Sequence, residues 1–201
     1  MRRINLAVAA LAFAAVAPVA SAQSTNSKIT LGVHAGMISN ELGSGDEEIA
    51  KTKSGANFGV AAGYDFTPAV RFTLGVDRGS IGIDEEGSDD NFALTTIDLG
   101  ARYSFISSAR RFTPFVAAGV SRRMLSTEIE GLGDLSANGL GFNLGAGVDY
   151  AFSPKMSFGG SFGYTMGKLG NWELDGESSD EDIDVDANGY KVNVGLTFRP
   201  F

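Results

Sequence analysis

The chain contains 0 cysteines and a single histidine among 201 residues. Without thiols it has no disulfide framework, no thiolate nucleophile and no cysteine-ligated metal. His34 is the lone histidine. No serine or carboxylate motif around it makes a nucleophile–base set, and the spacing supplies no clustered metal ligands. Nothing calls for a cofactor, and the expectation is a protein that is not an enzyme. Long apolar runs are also missing: past Leu6–Val19, nothing approaches the roughly 20 residues of a spanning helix. Basic residues are scarce. Two of the 16 Lys and Arg lie in the N-terminal segment, leaving 14 against 24 acids and a formal charge of −10 after residue 22. That balance argues against nucleic acid as a partner.

The N-terminal segment reads as an export signal. Arg2 and Arg3 precede the apolar run, and Ala20-Ser21-Ala22 offers the small residues a signal peptidase requires. Residues 1–22 are therefore expected to be removed, leaving a domain over 23–201. Any membrane crossing by that domain must use a closed β-barrel, which like a helix satisfies its own backbone polar groups in lipid.

What is present is alternation. Tyr190, Val192, Val194, Leu196 and Phe198 are apolar, while Lys191, Asn193, Gly195, Thr197 and Arg199 are small or polar. A period of two is a strand with one greasy face and one wet face. Such segments occur near 28–38, 56–66, 70–79, 93–105, 112–124, 138–152, 155–167 and 188–199. Short connections alternate with long ones at 39–55, 80–92, 125–137 and 168–187. Short periplasmic turns and long external loops are the asymmetry of outer-membrane barrels. The expected fold is all-β: an eight-stranded antiparallel transmembrane β-barrel, preceded by a cleavable signal peptide, in the outer membrane of a Gram-negative bacterium.

Parity divides the strands into two walls. The expected lipid face includes Leu31, Val33, Val60, Leu74, Val76, Leu99, Val120, Leu144, Val194 and Leu196, with no charge among them. The opposite face carries many of the 27 glycines together with Asp65, Asp77, Asp98 and Asp149, Arg71, Arg102, Arg123, Lys191 and Arg199, and His34. Charges removed from water should pair. The chain also repeats a hairpin, since Gly63-Tyr64-Asp65-Phe66-Thr67-Pro68 returns as Val148-Asp149-Tyr150-Ala151-Phe152-Ser153-Pro154. The first turn would set Asp65 opposite Arg71 and Tyr64 opposite Phe72, and the second Tyr150 opposite Phe158. With Tyr103, Phe105 and Phe112 these aromatics would form a periplasmic girdle. An eight-stranded barrel is only about wide enough for side chains, which suggests a lumen plugged by its ion pairs. The glycines leave room for a second reading, a narrow pore for ions or small solutes. Neutralising Asp98 and Arg102 together should open the lumen if the network is the plug.

At the upper ends of three rising strands the outward position is basic: Arg78, Arg122 and Lys168. Cations there would meet lipopolysaccharide phosphates, or simply snorkel. The remaining 20 acids are placed in the long loops. Asp184-x-Asp186-x-Asn188-Gly189 matches the opening of a calcium loop, but Gly195 stands where its closing glutamate belongs. A solvated anionic loop is the reading retained.

The cleavable signal, the eight amphipathic strands, Arg111-Phe112-Thr113-Pro114-Phe115-Val116-Ala117-Ala118-Gly119-Val120, Gly145-Ala146-Gly147-Val148-Asp149-Tyr150 and the terminal Phe201 together resemble the OmpA/OmpX-like (opacity-type) outer-membrane β-barrel family. The resemblance covers essentially the whole chain after the signal. It implies outer-membrane lipid and lipopolysaccharide as surroundings, a monomer, and an assembly signal at Phe198 and Phe201 read by the barrel insertion machinery. Phe198 keeps the outward parity, whereas Pro200 puts Phe201 out of phase and should break the ladder after Phe198. The family includes adhesins, structural proteins and small pores, so its fold leaves the activity open. The function expected here is structural or surface-interacting, with an unknown surface ligand as one partner class.

Overall fold

In the computed structural model, residues 28–44, 47–83, 91–106, 111–129, 133–174, 177–178 and 185–200 are described. The segment read as a signal peptide, 1–22, and Phe201 lie outside the described residues. The strands are β1 (Ile29–Ser44), β2 (Glu47–Lys53), β3 (Gly55–Asp65), β4 (Val70–Ile83), β5 (Asn91–Ser104), β6 (Phe112–Ile129), β7 (Gly133–Ala151), β8 (Met156–Leu174), β9 (Glu177–Ser178) and β10 (Val185–Phe198). β2 and β3 are two lengths of one path broken at Ser54, since both pair with β1 and β4. β9 is a short addition to β8.

The result is eight antiparallel staves, each bonded to the next, with β10 closing on β1 from Leu31↔Phe198 to Gly43↔Asp186. Closure removes the sheet edge and satisfies every spanning backbone group without water. The turns at the foot of the barrel are tight. Thr67 and Val70 exchange backbone hydrogen bonds of 3.2 and 3.3 Å, and Ser153 and Met156 exchange bonds of 3.2 and 3.4 Å. In each, the residue after the first is proline, preset for a turn. The hydroxyls of Thr67 and Ser153 accept from backbone N–H groups inside the same turns. The internal repeat is thus one hairpin built twice.

Register follows from those turns. Asp65 stands opposite Arg71, Tyr64 opposite Phe72, and Tyr150 opposite Phe158. Leu74, Leu99 and Val194 are 52%, 58% and 52% exposed, whereas the inward Asp77 is 5% exposed. Apolar side chains out and charges in is the polarity of a barrel solvated by hydrocarbon. At the lower rim Phe66 meets Phe72 edge-on at 6.2 Å, Tyr103 meets Phe105 at 5.2 Å, and Phe112 meets Tyr150 at 4.9 Å.

The strands are longer than the alternation predicts. β1 continues to Ser44, β6 to Ile129 and β8 to Leu174, while β7 begins at Gly133 and β10 at Val185. Most described parts of the expected loops are therefore ladder. Acids placed in loops, among them Glu128, Asp134, Glu173 and Asp186, stand on strands. Asp186, Asn188 and Gly189 lie in the β10 ladder, not in a turn that could wrap a calcium ion. Hydrophobic alternation missed these extensions because it reverses there. Above the hydrocarbon the outer wall meets water, so apolar groups turn inward. Ile38, Ile81, Leu94, Leu125, Ala137, Leu169 and Ala187 form one buried cluster across the upper lumen, with Phe92 packed against it.

Candidate functional site: the barrel lumen

Three tiers of side chains fill the described lumen. In the lowest, Arg71 Nε donates to Asp65 Oδ1 at 2.5 Å, and Arg199 Nε lies 3.4 Å from the other Asp65 oxygen. Arg199 is reached because the chain stays paired just past β10, with the Arg199 N–H donating to Lys155 O at 2.8 Å. Beside this triad Arg102 on β5 forms an ion pair past β6 with Asp149 on β7, and its Nε donates to Ser104 Oγ at 3.3 Å. Asp98 and Arg102, although on one strand, belong to different tiers and have different partners.

Sequence parity passed over one member of this tier. Phe115 faces inward on β6, and the Arg102 guanidinium sits 3.6 Å above its ring centroid. The ring fits because its cross-strand partner is Gly147. A Cβ at that position would stand 2.5 Å from Phe115 Cζ. The sequence signal was available: an inward aromatic needs a facing glycine in so narrow a barrel.

The middle tier is a connected chain. Lys191 Nζ donates to Asp98 Oδ2 at 2.8 Å and to Asp77 Oδ2 at 3.3 Å, joining β10 to β4 and β5 across the lumen. His34 Nε2 lies 2.6 Å from Asp77 Oδ1, and Asn143 donates to Asp98 Oδ1 at 2.6 Å. Asn57 donates to Asn193 Oδ1 at 3.0 Å and to Asp77 Oδ1 at 3.4 Å. Gly59 is required where it stands, because a Cβ there would lie 2.5 Å from His34 Nε2 and 2.9 Å from Asp77 Oδ1. Between the middle and lower tiers lies a cavity of about 270 Å³, lined by His34, Asp77, Asp98, Lys191, Arg102 and Asp149 among others.

In the upper tier Arg123 is 3% exposed. Its guanidinium crosses from β6 to the opposite wall and donates to the Ala187 carbonyl and to Asn40 Oδ1. The pairing expected of the lumen charges takes another form at Arg123. Arg123 sits too high for the four inward acids, and a carbonyl and an amide oxygen receive it instead. Among the described residues no group of three or more His, Asp or Glu could hold a metal ion.

On the outer wall Arg78, Arg122 and Lys168 are exposed. Leu140 pairs with both Arg122 and Lys168, so these two cations flank one apolar residue on adjacent strands, while Arg78 stands apart opposite Thr95. Phe198 ends the last strand opposite Leu31 and Met156.

A closed barrel with an apolar outer wall and an ionic lumen is an integral membrane protein of the bacterial outer-membrane class. The outer membrane protein beta-barrel domain family matches residues 6–198, and this chain belongs to that family. Its location is the Gram-negative outer membrane. Neisserial surface protein A is similar over 84% of this chain and 96% of its own, at 18% identity and a TM-score of 0.61. AlkL, solved in DMPC bilayers, is similar over 90% and 94%, at 16% identity and a TM-score of 0.51. A major outer membrane protein from Thermus thermophilus is similar over 85% and 98%, at 16% identity and a TM-score of 0.51. At these identities the likeness is one of fold. No curated protein matches the sequence.

Proposed function

We propose that this protein is a non-enzymatic, non-conducting barrel, exported by residues 1–22, that braces the envelope as a monomer and presents an acidic external end for surface interaction. The observation that carries this reading is the lumen. Lys191 and Arg123 each reach the far wall, and the apolar cluster above leaves its members 0 to 8% exposed. Such cross-links make the cylinder rigid, and the apolar cluster above them gives water no hydrogen-bonding partner. Arg78, Arg122 and Lys168 act as lipopolysaccharide phosphate contacts at the rim, and Phe198 with Phe201 as the signal taken by the insertion machinery.

The second reading, a narrow pore, is favoured by the cavity of about 270 Å³, which has charged side chains in its lining and is large enough for several waters. Planar-bilayer recording of the refolded protein separates the two. Silence, together with a folded band that survives detergent without heating, supports the scaffold. Stable conductance steps establish the pore instead.

A further inference from the structure

We infer that the permeation barrier is the upper apolar collar with its Arg123 crossbar, not the ion-pair network that fills the middle of the lumen. This rests on the non-conducting reading above and assigns the barrier to particular residues.

The middle and lower tiers carry the charged side chains of the lumen and border a cavity of about 270 Å³. Ion pairs in such a space can exchange partners with water and let a file of solvent pass. The collar offers no such exchange. Leu94 and Leu169 are 1% exposed and Leu125 is 7% exposed. Seven of the eight staves contribute a side chain to this cluster, from Ile38 on β1 round to Ala187 on β10. Directly below, at Thr96 on β5 and Arg123 on β6, the inward residues become polar again. The boundary is therefore sharp and lies within one pleat repeat of the strands.

A constriction lined by Leu and Ile excludes water, because a water placed there would forfeit its hydrogen bonds. An ion would lose its hydration shell as well. Hydrophobic constrictions of this kind block by dewetting. Arg123 adds a fixed cation across the same level, held by Ala187 O and Asn40 Oδ1. It fills the centre that side chains on the wall cannot reach.

The experiment compares three purified full proteins in planar bilayers, each first checked for a heat-modifiable folded band. The native protein is expected to be silent. The collar variant Leu94→Ser/Leu169→Ser is expected to show stable steps. The network variant Asp98→Asn/Arg102→Gln is expected to stay silent, because the collar above it is intact. Should the double collar variant not refold, Leu94→Asn and Leu169→Asn singly keep the side-chain volume and carry the same expectation. Folded collar variants that remain silent overturn the assignment, as does conductance opened by the network variant alone. Steps in the native protein would instead refute the non-conducting reading, which keeps the two failures distinct.

Discussion

Replacing Lys191 by methionine isolates the central cross-link of the lumen. The methionine keeps the aliphatic stem in place and removes the ammonium that Asp77 and Asp98 share at 3.3 and 2.8 Å. The Lys191 and Asp77 side chains are 19% and 7% exposed, so little solvent replaces the lost charge. Stripping one partner from a buried pair costs about 3–5 kcal/mol. Here the loss should fall near the lower end, about 3 kcal/mol, since Asp77 keeps His34 and Asn57 and Asp98 keeps Asn143. Urea unfolding in lipid vesicles, followed by the mobility difference between folded and unfolded bands, reads this directly. With a urea slope of about 1–3 kcal/mol per molar, the midpoint should drop by about 1–3 M. Adding Asp98→Asn to Lys191→Met should recover part of the loss, because one uncompensated carboxylate disappears. A loss under about 1 kcal/mol, typical of exposed pairs, would refute the reasoning and mean that water screens the network.

Two further expectations concern the wall and the rim. Gly147→Ala pushes a methyl against the Gly160 carbonyl oxygen as well as the Phe115 ring and should destabilise by about 1–3 kcal/mol in the same assay. Phe115→Leu should relieve only the part of that cost due to the ring, and full relief would mean that the contact with the Gly160 carbonyl costs nothing. Neutralising Arg78, Arg122 and Lys168 to Gln should lower the lipopolysaccharide that co-purifies with the barrel, with most of the effect from Arg122 and Lys168, which flank Leu140. Lipid content unchanged by the triple variant would leave these cations as snorkelling residues only.

The folded lumen separates the pair that local register sets from those that barrel closure sets. Asp65 and Arg71 lie six residues apart across one tight turn, so local register alone brings them to 2.5 Å. Asp98 and Arg102 share one strand, yet Asp98 reaches across the barrel to Lys191 on β10 while Arg102 reaches past β6 to Asp149 on β7. Within a cylinder only eight staves round, the opposite wall is nearer to a long side chain than many neighbours along its own strand.

The sequence by itself determined the barrel. Its two-residue period, the spacing of its turns and the parity of its charges place Leu74, Leu99 and Val194 toward lipid and Asp77, Lys191 and His34 inward, since those signals are local and each strand obeys them separately. Only the tertiary structure decided who pairs across the lumen, because partners such as Arg123 and Asn40 lie 83 residues apart and meet through closure and stagger. It also decided where the inward apolar residues gather. Above the hydrocarbon the apolar face changes sides, so Ile38 and Leu94 read in sequence as strand ends, Leu125 and Leu169 as loop residues, and in space all four belong to one buried cluster. Periodicity reports that two faces differ; which of them meets water depends on the solvent at that height.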